Sequence, residues 1–141
     1  MLTRLLSSQA HLSFGLMRVV SGLMFAFHGS RKLFGILSGH MPEVGSQLWV
    51  GGLIELVTGV CIAIGLLTTW MSFIASGTMA VAYIQFHWRF ELGAHLIPTK
   101  NQGELALLYC LVFLAVACRG PEALSMDRLL ERMRKAPNES S

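Results

Sequence analysis

Seven side chains carry whatever chemistry this sequence can do: Arg18, His28, Lys32, Glu55, Gln85, Asn101 and Glu104, each in or beside a long apolar run. An ionisable group inside a bilayer costs roughly 2.5 kcal/mol or more, against about 0.5 kcal/mol gained per leucine. Such groups therefore need one another, or water. The simplest arrangement pairs Glu55 and Glu104 with Lys32, Arg31 or a protonated His28, and two carboxylates held close would share a proton or need a cation. Gathered in one place, the set is either a polar plug that fixes helix register or a pocket for a small ligand, a proton path or a quinone head group.

Other chemistries have less behind them. Cys61, Cys110 and Cys118 lie inside apolar runs without a C-x-x-C motif. Cys110 and Cys118 would sit about 12 Å apart along a helix, beyond disulfide reach. The sequence has no phosphate-binding glycine loop, no Ser–His–Asp pattern in a soluble frame and no zinc-ligand spacing. No catalytic residue and no metal site is assigned. His28 and His87, near the outer ends of their helices, are the weak alternative as axial haem ligands, since nothing in their spacing demands a haem. A copper site from His40, His87, His95 and the methionines rests on composition alone. No intrinsic cofactor is expected, and quinone contact is the small-molecule reading that remains.

The elements that must position these residues are membrane helices. The chain is 53% hydrophobic and 13% charged, with a mean hydropathy of +0.56, whereas a soluble domain carries about 25% charged residues. Half that charge cannot cover a core with a water-soluble surface. Between Val44 and Trp88 the only carboxylate or cationic side chains are Glu55 and His87. That stretch is too long for one span and suits two, with a turn at Gly65-Leu-Leu-Thr-Thr69. The periodicity predicts helices at about 11–33, 48–67, 69–88 and 101–118. The expected fold is all-α, an integral membrane four-helix bundle over 1–124, followed at 125–141 by a short cytoplasmic amphipathic helix and a disordered tail. Ser125 can cap that helix. Met126, Leu129, Leu130 and Met133 then share one face and Arg128, Glu131, Arg132 and Lys135 the other, which suits a membrane surface.

Arg18 interrupts the first apolar run and no A-x-A site follows, so the first helix reads as an uncleaved span. Arg4, Arg119, Arg128, Arg132, Arg134 and Lys135 outweigh Arg31, Lys32, Arg89 and Lys100 on the opposite loops, which places both termini in the cytoplasm. The net charge of +3 thus serves orientation and anionic lipid, not nucleic acid. Counting 1.5 Å per residue from the cytoplasmic ends puts His28 and Gln85 at about 24 Å, Glu104 at about 21 Å and Glu55 at about 18 Å, with Lys32 just above and Arg18 at about 9 Å. One polar layer in the outer half of the bilayer is the expectation. Gly15, Gly22 and Gly29 repeat every seven residues, and Gly52, Glu55, Gly59 and Ala63 share a stripe. Small residues of this kind mark close helix contacts.

The sequence resembles the DoxX family of small bacterial membrane proteins. The resemblance rests on Arg18…Gly22…Phe25…His28-Gly29…Lys32-Leu33, Gly52-Leu53-Ile54-Glu55-Leu56…Gly59, Gly65-Leu66…Thr68, Asn101-Gln102-Gly103-Glu104 and Gly120-Pro121…Ser125-Met126-Asp127. Two positions depart from the family pattern: Thr69 stands where an arginine is frequent, and Glu122 replaces the second glycine of Gly-Pro-Gly. The likeness implies a four-helix protein of the bacterial inner membrane, with Arg18, His28, Lys32, Glu55, Asn101 and Glu104 as its polar signature. It also implies association with membrane oxidoreductases, quinone-linked or thiol-linked. The expected role is an accessory subunit without catalysis of its own, its partners being the bilayer, other membrane or redox subunits, or further copies of the chain. A small transporter or proton pathway and a structural assembly factor are the rivals.

Overall fold

A computed structural model describes residues 7–37 and 41–135. The expected disordered tail after Pro137 and the His40 of the copper reading lie outside the described residues, as does Arg4. Among the described residues the protein is all-α, with no strands.

Helix α1 spans Ala10–Phe34 and stops at Gly35, whose φ of +63° turns the chain out of the helix. Helix α2, Gln47–Ile64, begins after Ser46, whose hydroxyl accepts from the Trp49 N–H, and ends at Gly65 with φ +73°. This end comes three residues before the expected boundary of 67, because the left-handed glycine breaks the helix at once. Helix α3, Thr68–Ala82, continues as a π-helix over Tyr83–Trp88. The expected single helix over 69–88 is therefore two geometries in one rod. Pro98 then opens a one-turn helix α4, Pro98–Asn101, which left-handed Gln102 closes. Helix α5 runs from Glu104 to Arg119 and helix α6 from Met126 to Lys135. The expectation that Asn101 opens the fourth long helix is thus corrected: proline suits a helix start, so 98–101 form a separate turn.

The helices pair through small residues. At the α1–α2 crossing, a methyl on Gly22 would lie 2.6 Å from the backbone N of Ala63, and one on Gly59 would lie 2.8 Å from the Gly22 carbonyl oxygen. Only glycine permits this approach. Helices α3 and α5 pack on each other, and Ser76 Oγ donates to the Cys110 carbonyl at 2.8 Å. Between the two pairs sits a core of Phe25, Ile62, Ala75, Met79, Ala106, Tyr109 and Phe113. Its rings pack closely, with Phe25 and Phe113 centroids 4.8 Å apart in a tilted arrangement.

The distribution of polarity is inverted. Arg18, Glu55, Thr68 and Ser72 are buried, while Leu16, Leu23, Trp70, Phe73 and Leu108 are more than half exposed. Two helices, α1 and α2, are long and apolar enough to cross a membrane.

Candidate functional site

A cavity of about 690 Å³ lies between the helix pairs, within the range of about 300–1,000 Å³ found for small-molecule sites. Phe25, Tyr109 and Met79 line it from the core, and Val50, Ile54 and Val81 from the flanks. The polar groups in its wall are few and specific. Lys32 Nζ of α1 donates to Glu55 Oε1 of α2 at 2.5 Å, joining the two helices. Glu55 is only 2% exposed. Its second oxygen, Oε2, is buried with no hydrogen-bond partner, and the Tyr109 hydroxyl is buried and unpartnered as well. Both residues line the cavity, together with His28, whose ring stands edge-on to Tyr109 at 6.0 Å. A buried polar atom left unpaired costs about 1–3 kcal/mol. Two such atoms belong to residues of this one cavity wall.

The π-helix shapes the end of this cavity. Its wider turn, closed by Arg89 N–H donating to the Ile84 carbonyl at 2.8 Å, shifts the register so that Phe86 and His87 both line the cavity. Such π-turns recur at functional sites. Gln47 Nε2 of α2 donates to Gln85 Oε1, forming a clasp across the mouth. Asn101 organises the loop nearby: its Nδ2 donates to the His95 carbonyl at 2.8 Å, and its Oδ1 accepts from Gly103 N–H at 2.8 Å. His87 Nδ1 lies 3.1 Å from the Asn101 carbonyl oxygen.

Comparison with known proteins shows the family. The model of the DoxX family matches residues 14–88, a little over half of the chain. An uncharacterized protein of Haemophilus influenzae is 37% identical over 115 residues, covering 79% of this chain and 85% of its own length. The chain belongs to the DoxX family. No solved structure matches it.

The polar signature that the resemblance implies divides in space. His28, Lys32 and Glu55 line the cavity, while Gln85, outside that signature, holds its clasp. Three expected members lie elsewhere: Asn101 in the loop beside the cavity, Glu104 and Arg18. Glu104 is exposed in the first turn of α5 and does not line the cavity, so the expected Glu55–Glu104 carboxylate pair is not assembled. Its charge faces the positive end of its own helix instead. Arg18 belongs to a different cluster. Fully buried, its guanidinium donates to the carbonyls of Ile62, Ala63 and, at 2.8 Å, Leu124. It thus completes the last turn of α2, where a cation also suits the helix dipole, and ties that turn to the chain after α5. Gly65 is required there, since a methyl on it would lie 2.5 Å from Ser125 Cβ. Asp127 completes the knot: it accepts from the N–H groups of Leu67 and Thr68 at 2.8 Å each and from the Thr68 hydroxyl at 2.7 Å. Burial alone would raise the Asp127 carboxyl, but the bonds from Thr68 and Leu67 and the charge of Arg18 hold it below its ordinary value. Glu122, the departure from Gly-Pro-Gly, accepts from Arg119 Nε at 2.7 Å and lies 2.6 Å from His11 Nδ1. Arg119 and then His11 bring its carboxyl down to about 2.

Sequence reasoning misses Tyr109 and Gln47, and it names Asp127 in the closing motif without a role. For Tyr109 a signal exists: it is the only hydroxyl in the charge-free run from Leu105 to Cys118.

Proposed function

We propose that this DoxX protein is a four-helix integral protein of the bacterial inner membrane, and that its cavity binds a quinone or quinol head group as an accessory subunit of a membrane redox system. The single observation that carries the reading is the pair of unpartnered buried atoms, Glu55 Oε2 and Tyr109 OH, in residues that line the same cavity. A quinone carbonyl needs donors, which Tyr109 and Lys32 supply. A quinol hydroxyl needs an acceptor, which Glu55 supplies. The chain therefore has complementary groups for both redox forms, while electron transfer itself falls to a partner's cofactor.

The membrane reading has further support. Helix α3 runs on through the π-helix to Trp88, and α5 carries no charge between Leu105 and Cys118. With α1 and α2 these make four crossings, clad in the exposed leucine, phenylalanine and tryptophan side chains. Both termini then share the cytoplasmic side, where Arg128, Arg132, Arg134 and Lys135 of α6 meet anionic lipid. Lys32 is already bound to Glu55, which lowers the free positive charge on the opposite side and favours this orientation.

Equilibrium titration of the purified chain with a short-chain quinol tests the reading. Saturable binding is expected, weakened at least tenfold by Glu55→Gln and by Tyr109→Phe and unchanged by Glu104→Gln. A hydrogen bond to a charged group contributes about 1.5–3 kcal/mol, and a factor of ten corresponds to about 1.4 kcal/mol. Absence of saturable binding, or equal affinity in all variants, would refute the proposal.

A further inference from the structure

The cavity contains two glycines that close packing does not explain. Gly52 is explained: a methyl there would lie 2.9 Å from Lys32 Cβ. Its neighbour Gly51, and Gly77 on α3, have nothing within 4 Å of an added methyl. Glycine in a helix interior is unfavourable unless something requires it, and glycines in membrane helices ordinarily mark tight contacts. Here both face open space, and both line the cavity, one on each flanking helix.

The side chains around them place this space at an edge of the protein. Leu48 and Val50 on α2, and Val81 and Phe86 on the α3 rod, line the cavity yet are each 41–48% exposed. These four apolar side chains form a rim between α2 and α3. Above it, the Gln47–Gln85 clasp crosses the mouth. The cavity therefore has an inner polar end, at Glu55 and Tyr109, and an apolar slot leading sideways from it.

The geometry points to a lateral slot between α2 and α3, kept open by Gly51 and Gly77, through which the apolar tail of a bound long-chain quinone leaves the cavity for the bilayer. This inference rests on the quinone reading above and adds the ligand's tail and its direction. A head group without a tail would leave the slot unfilled. A tailed ligand covers the four rim side chains and gains their apolar area. Lipid-facing exit also removes any need for the ligand to pass through water. No covalent step is involved.

Two quinone probes with the same ring, one without a tail and one with a decyl tail, separate the possibilities. Binding is followed by tryptophan quenching in the full chain. In the wild type the decyl probe is expected to bind at least tenfold more tightly than the ring alone. Gly51→Leu and Gly77→Leu, placed where space exists, should each weaken the decyl probe at least tenfold and leave the ring within about threefold. Val57→Leu, on an exposed face outside the cavity, should change neither and corrects for detergent partitioning. If both leucine variants weaken the two probes equally, or weaken neither, the slot is overturned while the head-group site stands. If the wild type binds neither probe, the quinone reading falls and the slot with it. Should one variant fail to fold, the other glycine's variant decides on its own.

Discussion

Arg18 and Glu55 are both buried ionisable residues, yet the structure uses them in different ways. Arg18 spends both terminal nitrogens on backbone carbonyls of α2 and of Leu124 and leaves only Nε unpartnered, whereas Glu55 keeps one oxygen unpaired in the cavity. The first pattern holds the fold, and the second is the one the proposed head-group site would use. Replacing Arg18 by Met should therefore lower stability by about 2–5 kcal/mol, because carbonyls lose charged donors in a buried site. Arg18→Lys should recover only part of this, since an ammonium cannot reproduce the planar fork. Thermal unfolding in detergent measures both, and a change within error for Arg18→Met would contradict the assignment. The Glu122 cluster adds a pH dependence. Its carboxyl has a folded pKa of about 2 against an ordinary 4.5, so its contribution is complete above pH 4.5 and lost as pH falls toward 2. The stability gap between wild type and Glu122→Gln should thus narrow as the pH falls below 4.5 toward 2. A gap that widens below pH 4.5 would show the sign to be wrong. Sequence alone puts Arg18 low in the bundle but does not name its acceptors, because long-range backbone acceptors leave no mark on side-chain spacing. The approach of Lys32 to Glu55 is legible, because two opposite charges at similar helical heights have few alternatives in an apolar setting.

Helices in this protein pair through backbone contact, and their glycines divide accordingly. Gly59→Ala would press a methyl into the α1 backbone at Ala26 and Gly22. An overpacking cost of about 1–3 kcal/mol is expected. Gly51→Ala meets open space and should stabilise α2 by up to about 1 kcal/mol through helix propensity. Unfolding midpoints of the two variants should move in opposite directions, and a shift of the same sign would undo the distinction between packed and unpacked glycines. The seven-residue glycine repeat and the Gly65-Leu-Leu turn are readable in the sequence because each has a local physical cause. The π-helix at Tyr83–Trp88 is not, since no composition separates a wide turn from an α-turn. Asn101 is assigned to the wrong element for a related reason: Pro98 starts a helix as readily as it ends one, and Gln102 gives no warning of its left-handed φ of +59°.

At the scale of the whole molecule, polarity runs inward and the apolar surface outward, and the ends differ in charge. Cysteines introduced singly at Glu43 and Glu131, in a background lacking the native thiols, should respond differently to an impermeant maleimide added outside intact cells. Glu43→Cys is expected to label and Glu131→Cys to stay protected; the reverse pattern would invert the topology. The central claim is narrower: a guest sits against Glu55 and Tyr109. Photoaffinity labelling of the reconstituted chain with an azido quinone, mapped by mass spectrometry, tests it most directly. Label should fall on cavity-lining residues such as Ile54, Met79 and Tyr109 and disappear with excess unlabelled quinol. Label confined to Trp70, Phe73 and Leu108 on the outer surface, and insensitive to competitor, would contradict it.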